Sequence, residues 1–298
     1  MEAGDICIRT VAGADDVGLE VFRGLKRRKL PPDIILTEGY DAILRLLTSG
    51  FSCRDVLLQP HMESEVCHIL RTRPSLTGRS GPTTILICSI EVIEEVTEIS
   101  LEMGRPQLAF ALACRRDPPT LHAEFPGLTG SPAAPLRLVV LDGLTDAVNV
   151  GTLFTVAAAF GLSGVLCSRS CCDPFCARAV RTSGGLVFQL PCFQGSLPEA
   201  LRHLRAGGVL TLAAVVQDGA VYFDEVHELP RRWALVLGSE HFGVDAAVRE
   251  ACDKLVKIRM ASGVDSLNAT QLRSGGHFGR GSCARMCGAG SKRIACNT

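Results

Sequence analysis

Apolar and polar positions alternate along this chain in blocks that read as strand, helix, strand. From Pro31, "DIILTEG" is a short strand ending at Gly39. "YDAILRLLTSG" then sets Ile43, Leu46 and Leu47 on one helical face and closes on Gly50. "DVLLQP" predicts the next strand, Glu63–Arg71 a helix, "TTILICS" a strand and "IEVIEEVTEIS" a helix. The apolar pattern ends after "RPQLAFALACRR". Residues 117–135 are rich in proline and read as a linker.

The pattern resumes with "LRLVVLD" (Leu136–Asp142), a continuous apolar run suited to a central parallel strand. A polar loop, "DGLTDAVN", feeds an almost wholly apolar helix pattern from Val150 to Phe160, interrupted by Thr155. "GVLCS" predicts a strand, and "DPFCARAVRTS" a helix with Pro174 near its first turn. In "SLPEALRHLRAGG", Ser196 and Glu199 stand at capping-box spacing and Gly207 lies past the end. "VLTLAAVV" and "RWALVLG" read as buried strands, "VDAAVREACD" as a helix and "LVKIRM" as a last strand. Strand and helix alternate, so the fold class expected is α/β with a mostly parallel sheet.

Length and composition refine this picture. The 298 residues suffice for about two domains, and 47% hydrophobic against 21% charged residues permits a sizeable core. The formal net charge of zero argues against a non-specific polycation. "RGLKRRK" (Arg23–Lys29) is nevertheless basic, and residues 1–30 read as an arm carrying either phosphate contacts or a solvated face. The beginning of the chain is acidic and lacks an apolar signal core, and no apolar run reaches the length of a membrane span. An intracellular setting, most simply the cytoplasm, is therefore expected for the 14 cysteines, as reduced thiols. Neither Cys167–Cys176 nor Cys283–Cys287 has paired C-x-x-C spacing, so no metal site is expected.

The chemistry is expected at strand ends, where open α/β sheets bind ligands. No phosphate loop, H-E-x-x-H, G-x-S-x-G or G-x-G-x-x-G motif is present. Three polar, glycine-bearing segments do end strands: "LDGLTDAVNVG" (141–151), "LVLGSEHFGV" (235–244) and "IRMASGVDSLN" (258–268). Read singly, Asn149 is equally a helix N-cap, Glu240 a surface charge, and Ser266 and Asn268 turn residues. Taken together, they outline a cleft.

These three segments resemble the signature motifs of the SpoU (TrmH-type) RNA 2′-O-ribose methyltransferases of the SPOUT superfamily. The first follows L-D-x-[LV]-x-[DN]-x-x-N-[VL]-G, the second supplies Gly238, Glu240 and Gly243 as G-x-E-x-x-G, and the third is Asp265–Asn268 as D-S-L-N. "DPFCARAVRTSGG" (173–185) is similar to the segment between the first two. The resemblance is specific over 136–268 and weaker over 20–116.

It implies a knotted α/β methyltransferase domain at 136–272, preceded by a small α/β RNA substrate-binding domain at 31–116. It implies S-adenosylmethionine as methyl donor, rRNA or tRNA as substrate, and a homodimer. Asn149, Glu240, Ser266 and Asn268 fall at its catalytic positions, and Gly238, Ile258, Met260 and Leu267 at its donor-binding positions. Arg178 and Arg181 match basic positions and are expected RNA contacts, with plain solvent exposure as the alternative.

The chain also departs from the pattern. Thr155 stands where the family has arginine, His241 where it has glycine, and Arg259 where it has proline. After Asn268 the family continues into the apolar helix of the knot. Here glycines interrupt, and 273–298 is expected to be a divergent tail without order. A non-catalytic RNA-binding relative is therefore the alternative function.

Overall fold

The structure, a computed structural model, describes residues 6–72, 82–100, 108–115, 134–226 and 229–259. These fall into two units. One takes the chain as far as Asp117 and adds Asp173–Gln189; the other takes Pro118–Cys172 and the residues from Leu190 onward. The expected linker lies almost wholly outside the described residues, and the expected tail, with the stretch where the family has its knot helix, lies wholly outside them.

The first unit is built on five strands: β1 (Ile6–Thr10), β2 (Ile34–Glu38), β3 (Cys53–Leu58), β4 (Thr83–Ile87) and β5 (Phe110–Cys114). Their order is β1-β4-β3-β5-β2, parallel except where β5 runs antiparallel to both β3 and β2. Helices α1 (Tyr40–Leu47), α2 (Glu63–Thr72) and α3 (Ile90–Thr97) connect them. The helical face read from the sequence is the buried one: Ile43, Leu46 and Leu47 are fully shielded.

The basic arm needs correction. Ile6–Thr10 forms an edge strand on β4, and Leu19, Phe22 and Leu25 are buried in the core with Leu57, Leu86 and Phe110. The amide N–H groups of Gly24 and Lys26 donate to the carbonyls of Val96 and Thr97 at the end of α3. Arg23 pairs with Glu20, Arg27 with Glu98, and Arg28 donates to the Glu20 carbonyl. The stretch is thus integrated with the first unit. The basic cluster dominates the linear reading of this stretch and hides its apolar residues.

The second unit carries β6 (Leu136–Asp142), α4 (Ala147–Ala159) and β7 (Gly164–Ser168). Helix α5 (Ala177–Thr182) follows but belongs to the first unit. The second unit continues with β8 (Cys192–Gly195), α6 (Leu197–Ala206), β9 (Leu210–Ala214), β10 (Val221–Tyr222), β11 (Arg232–Gly238), α7 (Ala246–Glu250) and β12 (Lys254–Lys257). The sheet order is β10-β12-β9-β11-β6-β7-β8, and every pairing is parallel. The central pair, β6 and β11, is the pair of apolar runs that the sequence singles out, and Leu138, Val140, Ala234 and Val236 pack in one core cluster. β8 and β10 escaped the pattern because they are short edge strands.

Two local expectations shift. Helix α5 begins at Ala177, so Pro174 lies in the turn before it. Ser196 occupies the N-cap of α6 without a side-chain capping bond.

Residues 173–189, expected inside the second domain, pack with the first unit. Phe175 and Phe188 contact Phe51 with ring centroids 5.2 and 5.3 Å apart. Arg115 grips Asp173 through two hydrogen bonds of 2.6 and 2.8 Å, and Arg45 donates to the Gly184 carbonyl. A Cβ on Gly185 would stand 2.7 Å from the Ala42 Cα, so only glycine lets the segment approach α1.

Asp253 ties three elements of the second unit. Its carboxylate accepts from the Thr211 N–H at 2.9 Å, the Thr211 hydroxyl at 2.8 Å and Arg205 Nε at 2.7 Å. Burial pulls its pKa up, but these donors outweigh burial and hold it below the usual carboxylate range. A lowered folded pKa means that the contribution is present at neutral pH and is lost as pH falls below the ordinary aspartate value. Asp253→Ala is expected to cost about 1–2 kcal/mol at pH 7, the low end for charge-assisted bonds because the group is partly exposed. The difference from wild type should shrink in urea melts at pH 3–4, by order of magnitude the range in which an aspartate titrates.

Candidate active site at the ends of β6 and β11

The strand-end loops expected to converge begin side by side. In the parallel register Asp142 of β6 stands opposite Gly238 of β11, so the first two signature segments leave neighbouring strands at the same sheet edge. The third segment enters after β12 with Ile258, which is half-buried. Met260, Ser266, Leu267 and Asn268 lie outside the described residues.

The first loop is pinned from below. The Gly143 N–H donates to Ser168 Oγ at 3.0 Å, and the Asp142 carboxylate accepts from the Asp245 N–H at 2.8 Å. Burial pushes the Asp142 carboxyl above its usual range, with the Asp245 N–H opposing. Cys171 donates to the Leu141 carbonyl at 3.1 Å. Cys167 and Cys171 are buried beneath this loop, and Cys283 and Cys287 lie outside the described residues. Among the described residues no group of His, Cys, Asp or Glu is arranged to hold a metal ion.

Helix α4 starts from Asp146, whose side chain accepts from the Val148 N–H at 2.9 Å. Asn149 is therefore not the cap. It is 6% exposed in the first turn, and its amide Nδ2 donates to Glu240 Oε1. This contact joins two residues 91 apart in the chain and bridges the first two segments. Thr155, six residues further along α4, donates to the Gly151 carbonyl within its own helix at 3.2 Å.

Glu240 sits in a clamped turn. The Ser239 N–H donates to the Gly243 carbonyl at 3.1 Å, the Gly243 N–H to the Ser239 carbonyl at 2.9 Å, and the Phe242 N–H to Ser239 Oγ at 3.0 Å. Both glycines are required. Gly243 has φ +67°, and a Cβ on Gly238 would lie 2.1 Å from the Gly243 carbonyl carbon.

Arg259, at the family's proline position, pairs with Asp224 at 3.0 Å and stands 3.8 Å above the Tyr222 ring, anchoring β12 to its edge neighbour. Arg178 is exposed on α5, while Arg181 pairs with Glu38 at 3.5 Å. A cleft of about 540 Å³ opens at the strand ends between Asp142, Ser168, Arg169, Glu199 and Asp245. Three carboxylates against one arginine make it a poor seat for a phosphate backbone, and neither Asn149 nor Glu240 lines it.

Residues 137–271 match the SpoU rRNA Methylase family. An uncharacterised tRNA/rRNA methyltransferase of Mycobacterium bovis is 29% identical over 295 residues, covering 92% of this chain and 95% of the relative. The 23S rRNA (guanosine-2′-O-)-methyltransferase RlmB of Nitrosomonas europaea is 30% identical over 234 residues, covering 78% of this chain and 85% of that protein. Among solved structures, an AdoMet-bound rRNA methyltransferase from Sinorhizobium meliloti superposes with a TM-score of 0.70 at 23% identity, over 89% of this chain and 94% of its own. With the parallel sheet, the paired strand-end loops and this likeness over nearly its whole length, the chain belongs to the SpoU rRNA methylase family.

Proposed function

We propose that this protein transfers a methyl group from S-adenosylmethionine to a ribose 2′-hydroxyl of RNA; the name of its Nitrosomonas relative gives that protein as a guanosine-2′-O-methyltransferase of 23S rRNA. The observation that carries the reading is the Asn149–Glu240 bond across the ends of β6 and β11. Only the NH₂ side of an amide can donate to a carboxylate, so Glu240 fixes which way the Asn149 amide faces. Its oxygen is then turned away from Glu240 and can accept a ribose hydroxyl. That interaction orients the hydroxyl oxygen through a neutral group.

The described residues fit the donor. Its sulfonium is cationic and its adenosine flat and largely apolar. Glu240 supplies an anion, Gly238 backbone at the end of β11, and Ile258 apolar surface after β12, with β9 between the two strands. Met260 and Leu267 would complete the donor pocket, and Ser266 with Asn268 its reactive side. Bound there, the donor supplies an electrophilic methyl group. Arg178 would contact the RNA backbone on the first unit, with Arg181 sharing its charge with Glu38. RNA as partner is consistent with an intracellular setting. Among the described residues no helix is long and apolar enough to cross a membrane. A homodimer is part of the same proposal.

One observation favours a second reading. With the Thr155 hydroxyl bonded to Gly151, no cation enters the site from that position of α4. A chain that binds RNA without turnover would look like this. Tritium transfer from labelled S-adenosylmethionine to total RNA separates the two. The enzyme reading expects label in alkali-resistant dinucleotides, the signature of a blocked 2′-oxygen. Thr155→Arg should raise the rate by about tenfold, short of the 10²–10³ that a fully preorganised group supplies. Salt-dependent RNA binding with no transfer by either form would establish the second reading instead.

A further inference from the structure

We infer that Phe242 is a stacking platform for a base of the RNA substrate, held beside the Asn149–Glu240 pair. This deepens the proposed function and rests on it.

Phe242 is 92% exposed, and of the four large apolar side chains exposed among the described residues it is the only aromatic one. It does not hang from a loose loop. The turn that carries it is closed by two backbone bonds between Ser239 and Gly243, and its own N–H is held by Ser239 Oγ. Backbone freedom has therefore been spent in folding, and little more is lost when the ring meets a partner. The ring lies two residues from Glu240, whose carboxylate is already committed to Asn149. A nucleotide with its ribose at that pair has its base within reach of the same turn.

The surroundings choose between a base and a second protein surface. Glu240, His241, Gly243 and Asp245 are all exposed, so the ring rises from polar neighbours instead of from an apolar patch. A stable protein interface needs about 800 Å² from each partner. A single ring cannot supply that, but it is all a base requires, because every base offers a π-face. The imidazole of His241 stands with its centroid 6.4 Å from the Phe242 ring at 67°, leaving the faces of the two rings unstacked on one another.

The test compares wild type, Phe242→Ala and Phe242→Trp as full-length proteins. Affinity for short random-sequence single-stranded RNA is read by fluorescence anisotropy, and assembly by sedimentation. Phe242→Ala should weaken RNA binding by about 5- to 100-fold, with sedimentation unchanged. Phe242→Trp should keep wild-type affinity, and RNA should quench its added fluorescence. The native Trp233 is 3% exposed and provides the unquenched background. Wild type that fails to bind RNA overturns both this inference and the function beneath it. RNA binding equal in wild type and Phe242→Ala overturns the inference alone. So does a loss of dimer in Phe242→Ala without quenching in Phe242→Trp, which would make the ring a contact between copies.

Discussion

Replacing Gly238 by alanine is expected to disable this protein more than any other single methyl group added to it. The new Cβ would lie 2.1 Å from the Gly243 carbonyl carbon, 2.2 Å from its oxygen and 2.3 Å from the Val244 nitrogen. All three are backbone atoms, so no side chain can swing aside. The turn must open, and with it go the paired Ser239–Gly243 bonds and the placement of Glu240. A cost of about 3 kcal/mol is expected, at the upper end for overpacking, equivalent to about 6–12 °C in Tm for a domain of this size. Affinity for S-adenosylmethionine in titration calorimetry should drop with it. Ser239→Ala is the control: it removes one hydrogen bond to the Phe242 N–H and should cost about 1 kcal/mol. A Gly238→Ala protein that melts with wild type would show that the turn does not close on Gly238 as described.

The second large effect is on rate. Asn149→Ala should lower kcat by about 10²–10³, leaving KM for RNA within about threefold of wild type, because a group that orients the reacting hydroxyl acts mainly in the transition state. Glu240→Gln keeps an oxygen that can accept from Asn149 but loses the charge, and a loss of about tenfold is expected. The double replacement should cost no more than Asn149→Ala alone, since both residues act through one amide. Melting temperatures separate this from structural damage: Asn149→Ala should stay folded at assay temperature. An equal fall in kcat and in Tm across the series would instead make the pair a structural clasp between α4 and the motif turn.

How much of this was legible beforehand differs by element. The apolar runs at 136–142 and 232–238 announced central parallel strands, and the sheet buries them side by side. Ile43, Leu46 and Leu47 announced a buried face, because a helix repeats every 3.6 residues and the core lies on one side. The signature glycines were legible as a motif but not as a mechanism. Only the fold reveals that Gly238 is required by backbone contact and Gly243 by its positive φ.

The rest depended on contacts between residues far apart in sequence. Nothing near Asn149 tells that its partner is Glu240, or that Asp146 takes over the capping role. Nothing near Phe175 tells that residues 173–189 pack on Phe51 and α1 of the first unit. The basic run at 23–29 hid the buried Leu19, Phe22 and Leu25 around it, because charge is conspicuous in a linear reading and burial is not.

What the chain's order of residues settled alone was periodic and local: the long apolar strands, the amphipathic helices, and where the glycine-bearing turns fall. Which strand lies beside which, which side chain meets which carboxylate, and where the Thr155 hydroxyl donates were settled only in three dimensions. Hydrophobic burial selects among all pairings of the whole chain at once, and that choice is not written at any single position.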